Sequence, residues 1–244
     1  MLSRYTPKII SILFVTLLWG CGANADVRSE QEIKDLVRSY LLENPEVIME
    51  ALIILQEKEE LAKAEAAQNA LKDMQSGLTN SKIDPIGGNV DGELTIVEFF
   101  DYNCGYCKRA SSTLTSLKKK NPNLRVIYKE WPILAPSSET AARVSLAVNL
   151  LFPERYEELH LAFMNSSSLG SDNAIWAVVD KLKLDRKAIE SNLNHEVVNQ
   201  HLANTTAQAR ALGLSGTPAF VVGTEVIKGA LPESEIQKVI DAQS

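Results

Sequence analysis

Two cysteines separated by two residues, Cys104-Gly105-Tyr106-Cys107, follow a strand-like run from Leu94 to Phe100 and open a helix. At a helix start the unpaired amides and the partial positive charge of the helix end favour the ionised form of the first sulfur, which makes Cys104 a nucleophile. Cys107 lies one turn further in, within reach to close a disulfide with Cys104. Three chemistries fit such a pair: a redox dithiol, half of a metal site, or a structural staple. The staple is the poorest of them, because a bridge across two residues closes almost no loop and removes little unfolded-state entropy. A zinc site needs two further ligands, and the histidines of the chain, His160, His195 and His201, have no paired spacing. Each is read as a surface or packing residue, and no metal or other cofactor is expected, although soft thiolates suit transient copper binding. Glu98 stands six residues before Cys104, flanked by Val97, Phe99 and Phe100. A carboxyl in that strand is expected to be buried, and burial raises its pKa.

The elements that position these residues begin after an export signal. Arg4 and Lys8 supply a positive start, Ile9 to Leu18 a short apolar core, and Ala23-Asn24-Ala25 a small-residue cleavage site, so residues 1–25 are read as a cleaved signal peptide. The alternative is a lipoprotein signal with Cys21 as the lipid-bearing residue, which the bulky Trp19 fits poorly. Either way the chain leaves the cytoplasm. Loss of residues 1–25 removes Arg4 and Lys8 and moves the formal charge from −6 to −8. An acidic mature protein argues against nucleic acid as a partner. Cys104 and Cys107 are then the remaining cysteines, and catalysis explains them best.

Residues 26–77 read as helical. Ile33, Leu36, Val37, Tyr40 and Leu41 recur at helical spacing, and Asn44-Pro45-Glu46 starts a second helix that the pattern carries to about Met74, with Ser76-Gly77 as its stop. Its apolar side, Ile48, Leu52, Leu55, Ala62 and Ala66, steps as a packing seam does. A helix this long has no core of its own, so the segment is expected to pack against another copy of the chain. Residues 78–92 are rich in turn formers and read as a linker or edge segment. Strand Leu94–Phe100, a helix from about Cys107 to Lys120, and strand Leu124–Trp131 form a βαβ unit with parallel pairing expected. Lys118-Lys119-Lys120 reads as a solvated helix end. A helical block follows over about 137–212, then a hairpin at Pro218–Val222 and Val226–Lys228, then a last helix to Asp241. Trp131 and Trp176 are expected to pack.

The stretch Val97-Glu98-Phe99-Phe100-Asp101-Tyr102-Asn103-Cys104-Gly105-Tyr106-Cys107-Lys108, joined by Gly216-Thr217-Pro218-Ala219-Phe220, resembles the thioredoxin superfamily, specifically bacterial periplasmic thiol-disulfide oxidoreductases of the DsbA and DsbC type. The resemblance covers roughly residues 85–244, and the N-terminal helices resemble the oligomerisation segment of ScsC-type proteins. It implies an α/β thioredoxin-like fold over 93–244 with an inserted helical block, preceded by an α-helical oligomerisation segment. It also implies roles: Cys104 attacks a substrate disulfide, Cys107 resolves the mixed disulfide by closing a redox-active Cys104–Cys107 disulfide, and Glu98 moves the proton of Cys107. Thr217 and a cis Pro218 would face the catalytic sulfur and, with Gly105 and Tyr106, meet the substrate. The Gly-Tyr dipeptide and Thr217 resemble the isomerase branch. The partners implied are exported proteins with cysteines and a membrane redox partner of the DsbD or DsbB type, with a homodimer expected and a trimer as the alternative. Three functions stand at this point: an oligomeric disulfide isomerase, a DsbA-type oxidase, and a non-catalytic periplasmic chaperone or surface-associated protein.

Overall fold

A computed structural model describes residues 29–242, so the expected signal peptide and Cys21 lie outside the described residues. These residues form two compact units, one ending at Leu55 and one starting at Gln56.

The first unit holds α1 (Glu30–Glu43) and the beginning of α2 (Glu46–Thr79). Ser29 caps α1 in a reciprocal box with Glu32, each satisfying an amide that the helix leaves open. No residue of α1 is buried. Ile33, Leu36, Val37 and Tyr40, then Ile48, Met49, Leu52 and Leu55, all stand exposed.

The second unit is built on a five-stranded sheet in the order β1-β3-β2-β4-β5, formed by β1 (Ile86–Gly88), β2 (Leu94–Phe100), β3 (Leu124–Glu130), β4 (Ala219–Val222) and β5 (Glu225–Lys228). β2 and β3 pair in parallel across α3 (Gly105–Lys120), as the βαβ pattern requires, and the other pairs are antiparallel. β1 is a short edge strand inside the stretch read as linker or edge. Between β3 and β4 lie α4 (Pro136–Leu151), α5 (Tyr156–Asn165), α6 (Asp172–Lys181), α7 (Arg186–Asn192) and α8 (Glu196–Ala211), and α9 (Glu233–Asp241) follows β5. Among the described residues no helix is long and apolar enough to cross a membrane.

The sheet has a core on each face, because successive strand residues alternate sides. Ile96, Phe100, Val126, Tyr128, Phe220 and Val222 join the core that includes α3 and the inserted helices, with Trp176 among its members. Val97, Phe99, Ile127, Ala219 and Val221 join the other, where Leu71 and Leu78 of α2 pack together with Trp131 and Leu212. The end of α2 thus differs from expectation. The helix continues past Ser76-Gly77 to Thr79, because Leu78 is fully buried against the sheet and that contact outweighs the helix-breaking tendency of Gly77. The later part of α2 therefore has a core within its own domain.

Two expectations about charge are corrected as well. His201, read as a surface or packing residue, is completely buried between two carboxyl groups: its Nδ1 lies 3.0 Å from Asp84 and its Nε2 2.8 Å from Glu130. Lys129 ion-pairs with the same Asp84, and Tyr156 and Ser145 donate to Glu130 at 2.5 and 3.2 Å. Burial opposes the charge on His201, but the carboxylates of Glu130 and Asp84 outweigh it and hold its pKa up at about 9. Removing one member of such a cluster strands the others, so His201→Ala is expected to cost about 3–5 kcal/mol, read by denaturant titration. The contribution of His201 to wild-type stability is complete below its unfolded value of 6.5 and is lost as the pH rises through about 9. Lys118, read as part of a solvated helix end, is only 12% exposed at its side chain and ion-pairs with Glu157 of α5.

Candidate active site

Cys104 is the N-cap of α3, with extended backbone (φ −78°, ψ 114°), and Cys107 is in the first turn. The backbone turn that delivers them is held by Asp101. Its carbonyl accepts from the Cys104 amide at 3.0 Å. Its carboxylate accepts from the Asn103 amide at 2.8 Å and, across the chain, from the amides of Ile133 and Leu134 at 2.9 and 3.0 Å. The Asn103 side chain donates to Ser137 and Ser138 of α4, which ties the loop to the helical block. Asp101 was not singled out by the sequence, although an Asp two residues before an Asn is a turn signal of the Asx type.

Both cysteines are free thiols and both are buried, Cys104 at 6% exposure and Cys107 completely. Their proton affinities are driven in opposite directions. The pKa of Cys104 falls to about 5, first because the Cys107 thiol donates to its sulfur, then, against the effect of burial, through Thr217 and the amides of Cys107 and Tyr106 at the helix start. Cys107 is pushed far up by burial, by its hydrogen bond with Cys104 and by the charge of Glu98. One sulfur is therefore a thiolate at neutral pH and the other keeps its proton. Two sulfurs so tuned differ in the chemistry open to them, because the thiolate is the nucleophilic form.

The Thr217–Pro218 peptide is cis, and the Cys104 sulfur lies 3.3 Å from the Thr217 carbonyl oxygen, across 113 positions of sequence. β4 begins directly after Pro218, next to β2, so the sheet brings the two halves of the site together. Gly105 opens α3, and a Cβ there would meet no atom within 4 Å, so open space lies above the backbone between the thiols. Tyr106 is 61% exposed, with the Arg109 guanidinium 4.2 Å from its ring centroid. Ile133 and Leu134, also exposed, are held to the same loop by Asp101.

Glu98 is completely buried, on the sheet face it shares with Ile96 and Phe100, and neither carboxylate oxygen has a hydrogen-bond partner. Burial pushes its pKa up to about 8, against the opposing charge of Lys118. It is thus a buried carboxyl that titrates near neutral pH, and its charge helps raise the pKa of Cys107. Because the folded pKa lies above the unfolded value of 4.5, the protein loses stability as the pH rises from 4.5 through 8. Glu98→Gln is expected to gain on the order of a few kcal/mol over wild type in denaturant titrations at pH 9 and to gain little at pH 4.5, while its dithiol oxidation slows.

Residues 95–241 match the family model of the DSBA-like thioredoxin domain. The chain belongs to this family. Residues 30–62 match the N-terminal domain of the copper resistance protein ScsC. Among solved structures, a thioredoxin-like oxidoreductase from Silicibacter pomeroyi DSS-3 is 36% identical, with a TM-score of 0.67 over 69% of this chain and 96% of that one. ScsC of Proteus mirabilis in a transitional conformation is 31% identical, with a TM-score of 0.67 over 91% of this chain and 97% of that one. The Na(+)/H(+) antiporter NhaA of Herminiimonas arsenicoxydans is 27% identical over 165 residues, 66% of this chain but 26% of the antiporter, so the chain spans about a quarter of that relative.

Proposed function

We propose that this protein is an exported, periplasmic thiol-disulfide oxidoreductase that rearranges disulfides in exported proteins through Cys104 and Cys107, working as an oligomer. The observation that carries the reading is the opposite tuning of the two sulfurs at the start of α3, facing the cis Thr217–Pro218 peptide. The Cys104 thiolate attacks a client disulfide, forming a Cys104–client bond and releasing the other client sulfur as a thiolate that takes a proton from water. A different client thiolate then attacks the same client sulfur, which frees the Cys104 thiolate and leaves the client rearranged with no net redox change. When no client thiolate is in reach, Cys107 passes its proton to Glu98 and attacks Cys104. The second client sulfur leaves, the client is reduced, and Cys104–Cys107 becomes a disulfide that a membrane partner of the DsbD type would reduce again. Thr217 and Pro218 border the reacting sulfur, where a client segment can pair in extended form, and Gly105 and Tyr106 meet it from the helix side.

Oligomerisation is supported by the apolar residues of α1 and of early α2 that stand exposed, because a face this extensive is unfavourable in water without a partner. A second copy of the same helices fits it. Several subunits flanking one misfolded client raise the effective concentration of dithiols around it. The test compares the mature chain with one lacking residues 26–55, a cut that spares Leu71 and Leu78 in the core of the catalytic unit. Reactivation of a scrambled multi-disulfide client is expected to fall about tenfold or more on truncation, while exchange with a small disulfide is retained. Full isomerase activity in the truncated chain overturns the oligomer reading.

One observation favours a second reading, a DsbA-type oxidase served by a partner of the DsbB type. A thiolate held at a pKa of about 5 stabilises the reduced form and so makes the disulfide a stronger oxidant. Trapping the redox state of the two cysteines in cells separates the readings: mostly reduced for an isomerase, mostly disulfide for an oxidase.

A further inference from the structure

Glu98 has no hydrogen-bonding neighbour for its carboxylate oxygens, so burial sets its raised pKa and charges at a distance adjust it, Lys118 first among them. In the parallel ladder its register partner is Tyr128 of β3, which places the two side chains next to each other on one face of the sheet. The Lys118 ammonium, from the last turn of α3, donates to the Tyr128 hydroxyl at 3.3 Å and stands 5.9 Å from the ring centroid. It also ion-pairs with Glu157, on the inserted helix α5. Gly87 of edge strand β1 covers this corner: a Cβ there would fall 2.7 Å from the Tyr128 ring and 2.9 Å from the Glu157 carboxylate. Lysine, tyrosine and glutamate are thus fixed by three elements.

We propose that Lys118, paired with Glu157, is a positioning residue for thiol–disulfide exchange: its ammonium, held beside Tyr128, sets the readiness of Glu98 to take the proton of Cys107. The titratable groups that act on Glu98 or respond to its charge are Cys104 and Cys107 at the start of α3, Lys118 at its end, Tyr102 on the loop, and Tyr128 and Glu130 on β3. From α5, His160 lies against Tyr128 and feels Lys118, and burial drives its pKa down to about 3, so it is neutral. β4 contributes Phe220, which carries no charge. Lys118 is the cation in this set. It favours the carboxylate form of Glu98, which is the form able to accept a proton. Glu157 partly neutralises that cation. The proton taken from Cys107 as the Cys104–Cys107 bond forms goes to Glu98, and from there to water before the next cycle.

This rests on the proposed exchange function, but its test does not need client turnover. The carboxyl NMR shift of Glu98 is followed against pH in the reduced full-length protein, assigned by its disappearance in Glu98→Gln. Lys118→Met is expected to move the titration up by about one unit or more, the scale of one lost opposite charge. Glu157→Gln, which frees the ammonium of its counter-charge, is expected to move it down, and Lys118→Arg to leave it close to wild type. The pH profile of Cys104–Cys107 closure should shift in the same two directions. Damage to packing would not produce opposite shifts. If Lys118→Met does not fold, Lys118→Gln and Glu157→Gln carry the same comparison. A Glu98 titration unmoved by the loss of Lys118, or moved the same way by both variants, overturns the proposal. Absence of client exchange alongside opposite shifts overturns the function but not the role of Lys118.

Discussion

Replacing Cys104 by alanine is expected to abolish thiol–disulfide exchange with any client, a loss of about a thousandfold or more, the scale on which removal of a covalent nucleophile acts. Among the described residues no second thiol can substitute. Cys107 is completely buried and its pKa is driven far up, so at neutral pH it offers neither access nor thiolate. The fold should tolerate the change. The Cys104 sulfur meets Cys107 and the Thr217 carbonyl, while the loop is held by Asp101 through the Cys104 amide, which alanine keeps. Rates of client reduction and of scrambled-client reactivation measure the effect, with circular dichroism as the check on folding. A Cys104→Ala protein that kept its biological activity would turn the reading toward a chaperone or surface-associated protein.

Cys107→Ala is expected to have two separable effects. The first is kinetic. Without a resolving sulfur, the mixed disulfide between Cys104 and a client persists, and it should be recoverable as a covalent adduct on non-reducing gels, with the bond mapped to Cys104 by mass spectrometry. The second is electrostatic. The Cys107 thiol is the largest single cause of the lowered pKa of Cys104, ahead of Thr217 and the helix-start amides. Its loss should raise the Cys104 titration above about 5, without restoring the ordinary thiol value, because the amides of Tyr106 and of residue 107 remain. An adduct that forms and resolves at the wild-type rate would deny Cys107 its role.

The parts of this site that lie close together in the chain were legible in the sequence. Cys104 and Cys107 announce themselves by spacing, Glu98 by its apolar strand neighbours, and the βαβ order by pattern, and the structure has the two cysteines at the start of α3 and Glu98 buried on β2. Thr217–Pro218, more than a hundred positions away, was legible only through the family resemblance. What was not legible depends on register and distance. The contact of Asp101 with Ile133 and Leu134, the enclosure of His201 by Asp84 and Glu130, and the reach of Lys118 to Tyr128 and Glu157 each join elements whose relative placement no local pattern fixes. A lysine at a helix end reads as solvated until the helix that covers it is in place. The extension of α2 past Gly77 is of the same kind: local propensity favoured a stop, and burial of Leu78 against the sheet overrode it.

The most direct measurement is the titration of Cys104 in the reduced wild-type protein, read by thiolate absorbance or by the pH dependence of its alkylation rate. Half-titration near pH 5 is predicted, with Cys107 unreactive across the same range. A Cys104 pKa at or above the ordinary thiol value of about 8.5 would contradict an activated thiolate at the start of α3, and with it the exchange mechanism built on that sulfur.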